Sequence, residues 1–277
     1  MKGPLPLVAP LAAALLGASS AQAQIFSCAP GARDVAMTAL KSASSSFDAD
    51  LAAANAAIAM AAKLKADTLA GRDVPPPYSH ATRYASSAAE ATSPAVAEVL
   101  LRAAKDQLAR FQADIAFTRT LWADGLSEPV FGYAFRIVAL EGCGADEANT
   151  AWLKARLKTH GWFTIPEYGK EADAAAFLIV QHADQDPAFQ AEVLPQLEKL
   201  ALEGKTNPRN YAMLFDRVAI GERRPQRYGS QGECAGGVWT PFRLEDPATL
   251  DQRRATMGLP PEAGYVASNT QRYCKPR

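Results

Sequence analysis

The sequence predicts a mainly α-helical protein, a multi-helix bundle with one small β-hairpin near the C-terminus. Three observations lead to this prediction. The first half is rich in alanine and other strong helix formers. The second half repeats a helix start signal in which Asp or Asn precedes Pro. Only residues 226–242 combine β-like segments with a glycine-rich connection, as a hairpin requires.

Residues 1–23 have the pattern of a secretory signal peptide. One cation, Lys2, precedes an apolar centre from about Leu5 to Gly17, and small residues end in Ala21-Gln22-Ala23. The apolar centre is short for a transmembrane helix and contains prolines. We therefore expect an exported soluble protein, periplasmic or secreted, with no transmembrane segment after signal removal.

The charge balance narrows the class of partner. The chain has 29 Lys and Arg and 29 Asp and Glu, so removal of Lys2 with the signal leaves 28 basic and 29 acidic residues. Near-neutral charge argues against nucleic acid or an anionic membrane as the partner. The expected partner is a small-molecule or protein ligand, and no motif indicates a cofactor.

The four cysteines predict two disulfides, because an even number is typical of an oxidising compartment. Three pairings are possible, and we favour Cys28–Cys143 with Cys234–Cys274 because each pair then stays within one half of the chain. A metal site is less favoured because no C-x-x-C or C-x-x-H spacing occurs. Lipid attachment at Cys28 is also less favoured, since Phe26 is bulky for such a site.

Residues 24–143 are predicted to form an alanine-rich helical hairpin region. One helix runs from Asp48 to Ala70, and another begins at Ser93-Pro94. The second helix has an apolar seam with alternating spacings of three and four, typical of helix packing. We expect these two helices to pair antiparallel and a third, from about Val130, to end near Gly142-Cys143-Gly144. The seam residues are Leu101, Ala104, Leu108, Phe111, Ile115, Thr118 and Trp122.

Residues 144–265 are predicted to form a second helical region, followed by a C-terminal tail at 266–277. Helices are expected at about 146–158, 170–183, 187–202 and 208–220. Strands are expected at 226–231 and 238–242, flanking the connection GECAGG. A last short helix begins at Asp246-Pro247.

His182 is the first candidate for chemistry. It shares a helical face with Ala175, Leu178 and Ile179, so it belongs to the buried side of its helix. Gln181 adds a second polar group there, and buried polar groups need partners. Asp184 or Asp186 is positioned to orient the imidazole for acid–base catalysis.

Two other interpretations of this segment stay open. The plain alternative for His182 is a core histidine hydrogen-bonded to Asp186 or to a backbone carbonyl. Asp186 by itself is explained as the N-cap of the next helix. A metal site in H-x-D-x-D is less favoured, because only one histidine is present and the next helix competes for the aspartate.

The second candidate cluster follows the helix that contains Asp216-Arg217. Arg217 is suited to bind a carboxylate or phosphate, and Tyr228 can donate a hydrogen bond. Gln226 and Gln231 are candidate substrate-binding residues beside it. The plain alternative is an internal salt bridge with an ordinary polar strand. Ser230 lacks the G-x-S-x-G spacing of a serine hydrolase.

Several motifs follow one another at fixed places in the second half of the chain. They are Gly161-Trp162, QHADQDPAFQ (181–190), NPRN (207–210), Asp216-Arg217, QRYGSQ (226–231), Glu245-Asp246-Pro247, DQRR (251–254) and Met257-Gly258-Leu259. Together they resemble a widespread bacterial domain family of unknown function, whose members typically read GWP, IVQHAD, DPxFQ and YGTQ. The resemblance covers about residues 146–265 and departs at Phe163 and Ser230, where the family usually has Pro and Thr. It implies that His182, Gln181, Arg217, Tyr228 and Gln231 belong to a shared pattern, and it implies no reaction.

Two hypotheses for function remain. The first is an exported enzyme, a hydrolase, with a cleft between the His182 helix end and the 228–231 strand; His182 would be the general acid or base, Arg217 an anion clamp. The second is a non-catalytic binding or scaffold module of the cell envelope, in which the same residues form a buried network.

Overall fold

The computed structural model describes residues 30–72, 79–112 and 123–274. These residues form ten α-helices and one antiparallel hairpin, which confirms the predicted fold class. The helices are α1 (Ala32–Ala43), α2 (Phe47–Leu69), α3 (Ser79–Glu90), α4 (Pro94–Gln112), α5 (Glu128–His160), α6 (Ile165–Gln181), α7 (Pro187–Leu202), α8 (Pro208–Gly221), α9 (Leu250–Thr256) and α10 (Glu262–Tyr273); the strands are β1 (Gly232–Ala235) and β2 (Val238–Pro241).

The long helix α5 joins two hydrophobic cores. Its first half packs with α1 and α2, where Leu40, Ala54 and Ile137 are buried. Its second half contributes Leu153 to a larger core built with α3, α4, α6, α7 and α8. The candidate residues around His182 and Arg217 therefore belong to the part of the protein built on the larger core.

The predicted helix end at Gly142-Cys143-Gly144 is wrong, because α5 is continuous from Glu128 to His160. Glycine in a helix costs only about 1 kcal/mol. Gly142 and Cys143 are buried. Apolar residues are also buried before and after them, and this packing keeps the helix continuous. The division of the chain at residues 143 and 144 stays a prediction, but the boundary lies within one helix.

The alanine-rich helix α2 was predicted to pair with α4, but neither helix packs chiefly against the other. Helix α4 lies principally against α3, α5 and α6, whereas α2 packs mostly on α5. The reason is α3, whose Tyr84 and Ala85 belong to the same hydrophobic core as Val99 and Ala103 of α4. Seam residues 113–122 lie outside the described residues.

The predicted helix start signals are confirmed. The side chains of Asp186, Asn207 and Asp246 accept hydrogen bonds from the backbone N–H groups of Phe189, Arg209 and Ala248, each at 3.1 Å. Each cap precedes a proline in the first turn. Local side-chain chemistry therefore sets where these helices begin.

We expect Asp186→Ala to lower the free energy of unfolding by about 1 kcal/mol, because the first turn of α7 loses its cap. Asp186→Asn keeps an oxygen that caps and loses only the charge, so we expect less than about 0.5 kcal/mol for it. Urea unfolding of both variants measures the difference. Equal losses would contradict a capping role.

The hairpin lies later in the chain than predicted. Residues 226–231 form a loop, and GECA itself is β1, paired with β2 in the register Gly232↔Pro241 and Ala235↔Val238. The connection is the pair Gly236-Gly237, both with positive φ (59° and 82°), which suits a two-residue hairpin turn. Gly232 has no room for a side chain, because a Cβ there would lie 2.4 Å from the carbonyl oxygen of Thr240.

The predicted disulfide Cys234–Cys274 is confirmed, with its Cα atoms 5.5 Å apart. It ties the hairpin to the end of α10, so most of the expected tail is an ordered helix. Closing a loop with this separation of 40 residues contributes about 4 kcal/mol in the chain-entropy account. Cys28 and the predicted signal peptide lie outside the described residues, so the Cys28–Cys143 pairing stays a prediction.

No described helix combines the length and apolar character needed to cross a membrane.

Candidate functional site

The loop at residues 226–231 is organised by one buried carboxylate. Asp216 Oδ1 accepts the backbone N–H groups of Arg227 (2.7 Å) and Tyr228 (3.0 Å), and Oδ2 accepts that of Ser230 (2.8 Å). Gly229 has a left-handed φ of 64°. Burial raises the pKa of Asp216, while these N–H groups oppose the rise. Three donors converging on one side chain explain why the segment curls rather than forming a strand.

Gln226 and Gln231 close the same loop. The Gln226 amide donates to the carbonyl oxygens of Gln231 (2.8 Å) and Phe242 (2.9 Å), and its oxygen accepts the N–H of Gln231 (2.9 Å). The Gln231 side chain donates to Ser230 Oγ at 3.1 Å. Both predicted substrate-binding glutamines are therefore occupied by contacts within the protein.

Tyr228 lies in an aromatic cluster. Its ring packs edge-on against Tyr211 and Phe215, with centroid distances of 6.3 and 5.9 Å. Its backbone carbonyl accepts a 2.6 Å hydrogen bond from the fully buried Arg254. Burial raises the pKa of the Tyr228 phenol, so it stays protonated at neutral pH.

A second buried carboxylate, Asp173, joins two other motifs. Its oxygens accept from Trp162 Nε1 (2.8 Å), from Asn210 Nδ2 (3.0 Å) and from the backbone N–H of Asn207 (3.1 Å). The Thr206 hydroxyl also donates to it. Gly161-Trp162 and NPRN are thus two ends of one network that fixes α6 against the start of α8.

The acids that follow His182 have other partners. Asp184 pairs with Arg217 at 2.7 Å, and Asp186 pairs with Lys154 at 2.6 Å besides capping α7. The Nε atom of Arg217 is buried and has no hydrogen-bond partner among the described residues. The expected orientation of His182 by Asp184 or Asp186 is therefore wrong, because the two acids face neighbouring cations instead.

His182 is held by Asp106, from helix α4. His182 Nδ1 lies 2.9 Å from each carboxylate oxygen of Asp106, a side chain that is only 1% exposed. Arg110, one turn further along α4, places its Nε 2.8 Å from the same ring nitrogen. The two contacts compete, because Nδ1 offers one in-plane position for either a proton or a lone pair.

We assign the proton to Nδ1. Burial raises the pKa of Asp106, but the charges of His182 and Arg110 outweigh it and hold that pKa at about 2, so the carboxylate is ionised and only accepts. We give the two acceptor oxygens of Asp106 at 2.9 Å precedence over the Nε–H that Arg110 directs at Nδ1. An unprotonated Nδ1 would direct its lone pair at an ionised carboxylate, whereas the Arg110 guanidinium also donates to Asp106 and Asp146. Burial also lowers the pKa of His182, which favours the neutral ring. The other nitrogen, Nε2, forms no hydrogen bond with the described residues and is left with its lone pair.

Asp146 completes the cluster from α5. Arg110 donates to both of its oxygens, at 2.9 and 3.0 Å. Burial raises the pKa of Asp146 to about 7, because Arg110 only partly offsets the desolvation and Asp106 adds repulsion. The cluster of Asp106, Arg110, Asp146 and His182 therefore contains two acids and one guanidinium, and it holds or releases one proton near neutral pH.

Two residues of this cluster, Asp146 and His182, line a pocket with a volume of about 310 Å³. One wall is a face of α5 and the other is the turn between α6 and α7. The residues that line it are Asp146, Glu147, Thr150, Ala151, Lys154, His182, Ala183, Gln185 and Asp186. Of the predicted site residues, His182 and Asp186 are in this wall, whereas Gln181, Asp184, Arg217, Gln226, Tyr228 and Gln231 are not.

Asp106, Arg110 and Asp146 were not predicted from the sequence as site residues. One signal was available: Asp106 and Arg110 are oppositely charged residues four apart in a predicted helix, so they share one helical face. Nothing local relates Asp106 to His182, 76 residues away. Within the described residues, no three His, Cys, Asp or Glu side chains are grouped so as to hold a metal ion.

The fold and the pocket define a helical domain with a histidine–carboxylate site. Residues 103–275 match DUF6624, a family of unknown function, and since this is more than half of the chain, the protein belongs to that family. The match extends beyond both ends of the predicted 146–265 segment and includes Asp106, Arg110, Asp146 and His182. No curated protein and no solved structure matches the chain significantly.

Proposed function

We propose that the protein is an exported hydrolase whose active site is the pocket at His182. One observation carries the proposal: a fully buried carboxylate, Asp106, contacts Nδ1 of a histidine that lines a pocket and whose Nε2 forms no hydrogen bond with the described residues. This is the arrangement that a general base requires, since the carboxylate fixes the ring and stabilises the imidazolium that forms.

The proposed reaction uses His182 as both base and acid. His182 Nε2 takes a proton from a water molecule as the water oxygen bonds to an electrophilic carbon or phosphorus of the substrate. The imidazolium, stabilised by the ionised Asp106, then donates this proton to the leaving group as its bond breaks, which restores the neutral ring.

The other predicted site residues receive structural roles in this proposal. Asp184 and Arg217 brace the turn after α6, and Asp186 starts α7 and positions Lys154. Gln226, Tyr228 and Gln231 shape the loop around Asp216. We propose that the motifs GW, QHAD-x-DP-x-FQ and Q-x-YG-[ST]-Q mainly form this framework, with His182 as the chemical exception.

The proposed location outside the cytoplasm has two supports. Residues 1–23 have the pattern of a cleavable signal. The Cys234–Cys274 disulfide is compatible with an oxidising compartment, where such bridges persist.

A non-catalytic binding or scaffold module is the second candidate. The observation that favours it is the number of motif residues held in buried hydrogen-bond networks, chiefly around Asp173, Asp216 and Arg254. In that case the His182 cluster is one more such network, and its loss changes stability without changing any reaction.

A substrate screen decides between the two. The purified protein and its His182→Asn variant are assayed against ester, amide, phosphoester and glycoside substrates. Turnover by the wild type that is lost in the folded variant supports the hydrolase. Equal turnover by both proteins, or none by either on all four classes, contradicts it.

A further inference from the structure

The pocket is chemically asymmetric. Three carboxylates line it, from Asp146, Glu147 and Asp186, against one lysine, Lys154. Lys154 is already engaged, since it contacts Asp186 at 2.6 Å and lies over the ring of Phe189 at 5.4 Å from its centroid. Lys154 is thus paired with Asp186, so the described residues that line the pocket include no second lysine to balance the carboxylates of Asp146 and Glu147.

Glu147 and Asp146 differ in their surroundings. Glu147 is exposed and forms no ion pair with the described residues. Asp146 has an 11% exposed side chain and shares the one guanidinium of Arg110 with Asp106. Two buried carboxylates facing a single cation leave a net negative charge where desolvation makes it costly. Either a proton or a cationic ligand can neutralise it.

We propose that the ligand of this pocket is a small organic cation, a primary ammonium or guanidinium compound, whose charge contacts Asp146 and Glu147 while its remainder faces His182 Nε2. This inference rests on the pocket that the proposed function uses, and it names the substrate class. A volume of about 310 Å³ is at the small end for ligand pockets, which limits the ligand to a compact molecule.

Binding should depend on pH in a defined direction. Burial raises the pKa of Asp146 to about 7, so below that pH the carboxyl is mostly protonated and the ligand must displace the proton. Affinity therefore rises from pH 6 to pH 8, by up to about tenfold per unit below the pKa. Protonation of His182 at low pH acts in the same direction by adding a positive charge. The charged or titratable groups near Asp146 are Asp106 and Arg110 from α4, His182 from the end of α6, Glu147 and Lys154 from α5, and Asp186 before α7.

The test uses three probes of similar shape and different charge: benzylamine, benzyl alcohol and benzoate, with agmatine as a guanidinium probe. Calorimetry at pH 6 and pH 8 measures affinity and the protons released. We expect one of the two cations to bind at pH 8 at least tenfold more tightly than benzyl alcohol and benzoate, with weaker binding and proton release at pH 6.

Variants locate the binding. Glu147→Gln changes an exposed side chain, so the protein should fold, and it should weaken binding of the cation several-fold. Asp146→Asn should weaken the pH dependence and leave only the smaller part that His182 contributes. Glu192→Gln, an exposed acid on α7 away from the pocket, is the matched control and should change nothing.

Three outcomes overturn the inference: benzoate binding as tightly as the cations, neither cation binding, or Glu147→Gln behaving as Glu192→Gln does. Because no turnover is measured, these outcomes are separate from the fate of the hydrolase proposal. Cation binding without hydrolysis would support the proposed ligand and contradict the hydrolase. Hydrolysis of anionic substrates without cation binding would support the hydrolase and contradict the proposed ligand.

Discussion

Asp216→Ala should lower the free energy of unfolding by roughly 3–5 kcal/mol. The side chain is fully buried and accepts three backbone N–H groups of the 227–230 segment, at 2.7 to 3.0 Å. Alanine leaves these donors without acceptors, and each unsatisfied buried group costs roughly 1–3 kcal/mol. The total is smaller than the sum because water can enter and the loop can relax. Denaturant unfolding measures the loss.

Glu245→Ala is the matched control for this prediction. Glu245 contacts Arg227 of the same loop at 2.9 Å, but both side chains are about a third exposed. A surface ion pair of this kind contributes less than about 1 kcal/mol. If Asp216→Ala costs no more than Glu245→Ala, Asp216 does not organise the loop, and the structural explanation of the Q-x-YG-[ST]-Q motif fails.

His182→Asn should reduce turnover by roughly 10²–10⁴-fold on whichever substrate class the screen identifies, the range expected for loss of a general base. Asparagine is chosen because its side-chain amide can reproduce the N–H that Nδ1 directs at Asp106, while it has no equivalent of Nε2. The buried carboxylate therefore keeps a donor. We expect the free energy of unfolding to change by less than about 1 kcal/mol.

His160→Asn supplies the comparison for this variant, since His160 is exposed at the end of α5, away from the pocket, and should retain full turnover. The combination of turnover and stability separates the two candidate functions. A large loss of turnover with an unchanged unfolding free energy supports the enzyme. Unchanged turnover with a stability loss of roughly 1–3 kcal/mol supports a structural histidine.

The sequence predicted those features that local chemistry determines. The capping residues Asp186, Asn207 and Asp246 begin helices as expected, because a side-chain oxygen near the first N–H groups acts within a few residues. The helical spacing placed His182 on the inner side of its helix, and the structure leaves 13% of that side chain exposed. The pairing of Cys234 with Cys274 followed from keeping each bridge within one half of the chain.

The features that were missed depend on distant residues. Helix α5 continues through Gly142 because two cores pack on it, and residues 226–231 curl because Asp216 lies beneath them. The carboxylate that holds His182 comes from a helix 76 residues earlier, and no spacing rule relates two such positions. Aspartates next to His182 in sequence were the natural candidates, but the helix end directs them at Arg217 and Lys154.

The central claim is that Asp106 holds the proton of neutral His182 on Nδ1 and leaves Nε2 free at the pocket. Nitrogen-15 NMR of the imidazole rings across a pH titration measures this directly, with the signals of the three histidines assigned by the substitution of each. We predict that His182 carries its proton on Nδ1 when neutral and that its pKa lies below the ordinary value of 6.5, because burial disfavours the charged ring. A neutral ring protonated on Nε2, or a pKa above 6.5, would contradict the account.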